Sequence, residues 1–146
     1  MRKDAVARAI WFTAPNTVEI IDEWEIPSPI EEAEALSSKL CEDEVKIRSI
    51  CSGISAGTEM LLYRGRVPQN VVLDNWGDNH GDSLIRYPVK YGYCNVGQVV
   101  EVGPACKERK VGDVVFTFHP HETLFTAKES LCTLIPKEIE LVSQSF

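Results

Sequence analysis

Glu44-Val45-Lys46-Ile47-Arg48-Ser49-Ile50-Cys51-Ser52-Gly53-Ile54-Ser55 carries the alternation that decides how this chain folds. Val45, Ile47 and Cys51 alternate with Lys46 and Arg48, the two-residue period of a strand with one buried face. Gly53 ends the strand. Thr58-Glu59-Met60-Leu61-Leu62-Tyr63-Arg64-Gly65 then reads as a single helical turn, with Thr58 as its N-cap and Gly65 as its C-cap.

Toward the N-terminus, Ala5 to Phe12 is an apolar run of strand length, and Ala14-Pro15-Asn16 turns it into a second strand. There Val18, Ile20 and Trp24 share one face, with Glu19 and Glu23 mostly on the other, so the first two strands form a hairpin. Pro27 and Pro29 close the second strand, and the acidic segment Glu31 to Leu36 is a solvated linker. Toward the C-terminus, Asn95 to Val102, Asp113 to Phe118, Thr123 to Thr126 and Leu131 to Leu134 are strand-like. Gly103-Pro104 and Lys110-Val111-Gly112-Asp113 supply turns between them. About seven short strands with closely spaced turns indicate a barrel or sandwich. Arg66 to Tyr87 is a long polar loop containing Trp76 and His80, expected at the surface and of a length usually kept for function, as in a lid.

The 146 residues suit one domain, and 44% hydrophobic against 25% charged residues allow a real core. A net charge of −7 opposes binding to nucleic acid or to anionic lipid. No secretory signal opens the chain, and no apolar run approaches the ~20 residues of a membrane span. Cys41, Cys51, Cys94, Cys106 and Cys132 are odd in number and contain no Cys-x-x-Cys pair. They are expected to be free thiols in a cytoplasmic protein. No G-x-G-x-x-G occurs, so no dinucleotide-binding unit is expected within these residues.

Two further segments follow 44–55 in order: Gly92-Tyr93-Cys94-Asn95-Val96-Gly97-Gln98-Val99-Val100-Glu101-Val102-Gly103, then Lys110-Val111-Gly112-Asp113-Val114-Val115. Together the three resemble the GroES-like, substrate-side domain of the medium-chain dehydrogenase/reductase family. The resemblance runs from the first hairpin to Pro136. Within the family, Ser-Gly-Ile-Ser-Ala-Gly-Thr-Glu (52–59) followed by Tyr-Gly-Tyr-x-x-x-Gly (91–97) is similar to the bacteriochlorophyllide dehydrogenase-like subgroup. The implied fold is mainly β: a GroES-like, partly open barrel with short helical turns, one domain over residues 1–146, without a Rossmann domain.

The resemblance implies the substrate side of an NAD(P)-dependent oxidoreductase acting on an alcohol, ketone or enone. NAD(P) would bind only with a second, Rossmann domain, supplied by a longer parent chain or by a partner chain. Alone, the 146 residues are expected to be inactive. The alternatives are a non-enzymatic GroES-like binding or assembly module, possible as a homo-oligomer, and a degenerate remnant. A co-chaperonin role is disfavoured because the 66–87 loop is acidic and poor in aliphatic residues at its centre.

Zinc-dependent members place Cys, usually followed by His, where Ser55-Ala56 stands here, and His-Glu where Tyr93-Cys94 stands. A serine hydroxyl and a phenol are poor zinc ligands, so zinc is not expected. His119-Pro120-His121 would set two imidazoles on one side of a straight strand, which falls short of a metal site. Without zinc, Ser55, Thr58 and Tyr93 are the candidate donors to a substrate oxygen, with Glu59 or His119 as proton relay. Glu59 has a plainer reading as a helix-start charge.

Overall fold

The computed structural model describes residues 7–22, 40–68, 86–137 and 139. The elements are β1 (Arg8–Ala14), β2 (Thr17–Asp22), β3 (Glu44–Ser52), α1 (Thr58–Tyr63), β4 (Val89–Lys90), β5 (Asn95–Val102), β6 (Val114–Thr117), β7 (Leu124–Lys128) and β8 (Thr133–Leu134). A 3₁₀ turn, Glu129–Leu131, joins the last two strands. They form a three-stranded sheet in the order β2-β1-β4 and a five-stranded sheet in the order β7-β3-β5-β6-β8. Every pairing is antiparallel, so the described residues contain no parallel βαβ unit. Among them, too, no helix is long and apolar enough to cross a membrane.

The residues just before β7 sew the two sheets together along β1. Ile10 N–H donates to the His121 carbonyl (2.9 Å), Thr123 N–H to the Arg8 carbonyl (2.8 Å), and Ala9 bridges Glu122. The result is the mainly β, partly open barrel with short helical turns that the sequence implied.

The strand alternation builds the core. Val45 and Ile47 on β3, Val99 on β5, Val115 on β6 and Phe125 on β7 are buried together with Cys132. Each such side chain contributes about 1.5–3 kcal/mol by leaving water. On the other face of the central pair, Lys46 Nζ meets Glu101 Oε2 at 3.0 Å, a cross-strand ion pair of small worth.

The alternation fails at Cys51, which is exposed although the period places it inward. An irregularity in register between Ser49 and Cys51 inserts Ile50, so Cys51 pairs with Val96 and Ser52 with Asn95. A bulge of this kind re-aims every side chain after it. Val18 and Ile20 are exposed as well, Ile20 by 70%, while Trp24 and the acidic linker lie outside the described residues. So do Trp76, His80 and most of the long loop.

Thr58 is the first helical residue of α1 rather than its N-cap. Gly57 holds the cap position without a side-chain bond, and the Glu59 carboxylate instead reaches back to the Ser55 N–H. That bond ties the loop before the helix to its first turn and leaves the helix's own first N–H groups without a side-chain cap. At the other end, Gly65 N–H donates to the Leu62 carbonyl and Arg66 N–H to that of Leu61, the paired bonds of a Schellman turn. β4 has no counterpart in the sequence reading, since two residues show no periodicity.

Glu129 fastens the turn that follows β5. Its carboxylate accepts N–H groups from Lys107 (3.1 Å), Glu108 (2.7 Å) and Arg109 (2.7 Å). Desolvation pushes its pKa up, but those donors outweigh it and hold the carboxyl below its ordinary value. Close approach of strands explains Gly97: a Cβ there would stand 2.4 Å from Ile47 Cγ2 and 2.7 Å from the Arg48 carbonyl oxygen. Gly97→Ala therefore forces β3 away from β5 in the middle of the core. Expected outcome: a loss of at least ~1–3 kcal/mol, read as a lowered midpoint in urea denaturation.

Candidate active site

The bulge in β3 carries Ser52 to the end of the barrel where two loops meet. Gly53 N–H donates to the Cys94 carbonyl at 2.9 Å, and a Cβ on Gly53 would stand only 3.1 Å from Cys94 Sγ. This contact brings the loop that bears Ser55 beside the loop that bears Tyr93. Ser55 is half-buried; its Oγ accepts the Gly57 N–H (3.2 Å), and its own N–H serves Glu59. Thr58 is half-buried at the start of α1. Tyr93 is half-buried with its ring edge-on to Tyr91, the centroids 6.1 Å apart.

Behind these loops lies a buried acid–base pair. Glu59 is 1% exposed, and its Oε1 stands 2.6 Å from Nε2 of His121, itself almost wholly buried. The other ring nitrogen, Nδ1, is 2.9 Å from the Ser52 hydroxyl. Gly92 makes room for the ring: at its φ of +146° a Cβ would sit 2.9 Å from Nε2. Few residues other than glycine adopt such a φ, and a side chain there would press on the imidazole.

A buried network holds the segment that carries His121. Asn95, fully buried, donates from Nδ2 to the Pro120 carbonyl (3.2 Å), and the Ser49 hydroxyl donates to that of Glu122. Asn95 Oδ1 lies 2.8 Å from the same hydroxyl.

The imidazole that meets Glu59 is thus His121, which the sequence reading left unassigned, and not His119. The two rings diverge across Pro120. His119 stacks on Phe125 with centroids 3.7 Å apart and planes 14° from parallel. Burial pushes its pKa down to about 4, against the opposing hydrogen bond to the Pro120 carbonyl and with a smaller contribution from the Lys90 charge. A ring that is neutral at pH 7 forms no ion pair with Glu122, although the two stand 3.8 Å apart. The structure therefore brings Ser55, Thr58 and Glu59 together on one loop and helix start, sets the Tyr93 loop beside them, and gives His119 a packing place.

Ser55 Oγ already accepts a backbone donor, and both nitrogens of His121 are engaged. Among the described residues no three His, Cys, Asp or Glu side chains converge.

No family model and no curated protein matches the sequence. Solved structures do match in fold. A mutant form of the enoyl thioester reductase from Candida tropicalis matches with a TM-score of 0.63 at 14% identity, over 97% of this chain and 37% of that one. The CurF ER cyclopropanase of the curacin A biosynthetic pathway gives 0.70 at 15% identity, over 93% and 37%. The quinone oxidoreductase from Coxiella burnetii gives 0.59 at 17% identity, over 90% and 38%. The described residues share the mainly β, GroES-like fold of these neighbours. The chain spans little more than a third of their length.

The folded state keeps His119 neutral to about pH 4, whereas an unfolded histidine takes up a proton near 6.5. Between those values the unfolded chain binds the extra proton, so this contribution is whole above 6.5 and is lost as the pH falls toward 4. Expected outcome: His119→Phe flattens the fall in stability between pH 7 and pH 5, checked by paired urea titrations of the variant and the parent protein.

Proposed function

We propose that this chain forms the substrate-side wall of an NAD(P)-dependent oxidoreductase acting on an alcohol, ketone or enone. A nucleotide-binding domain, on further residues of the same protein or on a partner chain, supplies the nicotinamide dinucleotide and with it the hydride. The observation that carries this reading is the Gly53–Cys94 contact, which sets hydroxyl-bearing loops side by side at one end of a GroES-like barrel. The fold likeness supports it, because proteins named as an enoyl thioester reductase and a quinone oxidoreductase are built around the same barrel.

In the absence of a zinc-binding set, charge on a substrate oxygen is met by hydrogen bonds. Ser55, Thr58 and Tyr93 are the donors, and they work best where water is excluded and the dipoles are already oriented. Each is half-buried, so each is partly fixed before a substrate arrives. The placement of the whole sequence in the bacteriochlorophyllide dehydrogenase-like subgroup belongs to this proposal as its finer form. It rests on the residues 52–59 and 91–97.

The test is a pair of titrations on the ¹⁵N-labelled chain. A short-chain enone is expected to shift the amide signals of residues 53–59 and 92–94, whereas NADPH and NADH at millimolar concentration give no saturable fluorescence change. Enone shifts confined to other residues would overturn the placement of the site. Micromolar, saturable nucleotide binding would overturn the assignment of the cofactor to a second domain.

A further inference from the structure

The hydrogen-bond chain from Glu59 through His121 to Ser52 runs from the interior to the surface. Glu59 and His121 are buried, whereas Ser52 is exposed at the end of β3. Counting protons on the pair gives two states. With one proton, Nε2–H donates to the Glu59 carboxylate, and Nδ1 presents a lone pair that accepts the Ser52 hydroxyl proton. With two, Nδ1 carries a proton and donates it to Ser52 Oγ. The geometry serves both states without movement, because 2.9 Å suits either direction of the bond.

Glu59 cannot turn away, since its second oxygen holds the Ser55 N–H. A side chain at position 92 would stand 2.9 Å from His121 Nε2, so glycine there leaves the ring its place. The charged and titratable groups nearest on its own segment, His119 and Glu122, are turned to other partners: Phe125 for the first and Lys90 Nζ, at 3.5 Å, for the second.

We propose that Ser52, His121 and Glu59 work as one acid–base unit whose working end is the Ser52 hydroxyl, and that it exchanges a proton with the oxygen of an alcohol or carbonyl substrate. Ser52 is the catalytic residue of the unit; His121 and Glu59 are positioning residues that act through it. In the acid direction the Ser52 O–H bond breaks and its proton goes to the substrate oxygen. The His121 Nδ1–H bond then breaks and restores the hydroxyl, leaving neutral His121 on the Glu59 carboxylate. In the base direction the same two transfers run backwards. No electrons change hands in these transfers. The role at a substrate oxygen rests on the oxidoreductase reading; the activation of Ser52 does not.

The experiment uses the 146-residue chain and an alkyl fluorophosphonate, a reagent that needs a hydroxyl able to pass its proton to a base as phosphorus is attacked. The O–P bond forms at Ser52 Oγ, fluoride leaves, and the hydroxyl proton goes to His121 Nδ1. Expected result: the adduct maps to Ser52 by peptide mass spectrometry and is absent in Ser52→Ala. In both Glu59→Gln and His121→Gln, the labelling rate drops by about 10²-fold or more. The Glu59→Gln change keeps volume and removes the charge, so it remains informative if His121→Gln fails to fold; circular dichroism shows which variants are folded. No adduct on Ser52, or an adduct formed at the parental rate in folded Glu59→Gln, overturns the proposal. Labelling as expected together with failure of the enone titration would keep the acid–base unit and remove the oxidoreductase reading, so the two fail separately.

Discussion

A carboxylate and an imidazole stand 2.6 Å apart with almost no access to water, and much of the nearby structure is arranged to make that tolerable. Removing either charge-bearing group from water is costly, and their attraction repays the cost only where the remaining lone pairs and protons also find partners. Here they do. Glu59 Oε2 takes the Ser55 N–H, and His121 Nδ1 meets Ser52. Each partner comes from a different element, so the pair constrains α1, the end of β3 and the segment before β7 at once. Gly92 closes the fourth side by having no side chain.

The same segment is what joins the two sheets. Its carbonyls and N–H groups pair with β1, while Asn95 and Ser49 hold it to the central strands of the five-stranded sheet. The polar seam through the barrel therefore has two functions. It satisfies the backbone where the sheets diverge, as buried polar groups require, and it fixes the ring of His121 relative to the surface loops. Around it, Val45, Ile47, Val99 and Val115 supply the apolar burial that supports such a seam.

The fold was legible because antiparallel strands with one buried face declare themselves by a period of two, and β3 (Glu44–Ser52) does so up to Ser49 and β5 (Asn95–Val102) up to Val99. Legibility ended where the period did. The bulge after Ser49 reversed the faces of Cys51 and Ser52, and nothing in the residue types announces it. Thr58 reads as an N-cap by composition, yet Gly57 holds that position with no side-chain bond, and the carboxylate one residue after Thr58 is taken up by the Ser55 N–H and by His121. Two histidines around a proline are equivalent on paper. Pro120 turns the chain between them, so one ring stacks on Phe125 and the other enters the seam.

On the proposed reading, a substrate oxygen is met by hydroxyl groups, because Ser55 and Tyr93 stand where the family resemblance places zinc ligands. A bound metal polarises a substrate oxygen through a full positive charge, whereas hydroxyl groups supply only partial charges. Hydroxyl groups can stabilise developing charge, but they cannot by themselves provide or absorb a proton near neutral pH. An imidazole can, because its ring nitrogens can both accept and donate a proton. The barrel sets hydroxyl groups in the loops and an imidazole one serine away from the surface. Zinc would couple polarisation and proton transfer in one ion; the proposal divides the two tasks between the loop hydroxyls and the Ser52–His121–Glu59 unit. The burial of Glu59 follows from its partner: a carboxylate serving only the start of a six-residue helix would do so equally well in water, whereas one bonded to a buried imidazole must go where the imidazole is.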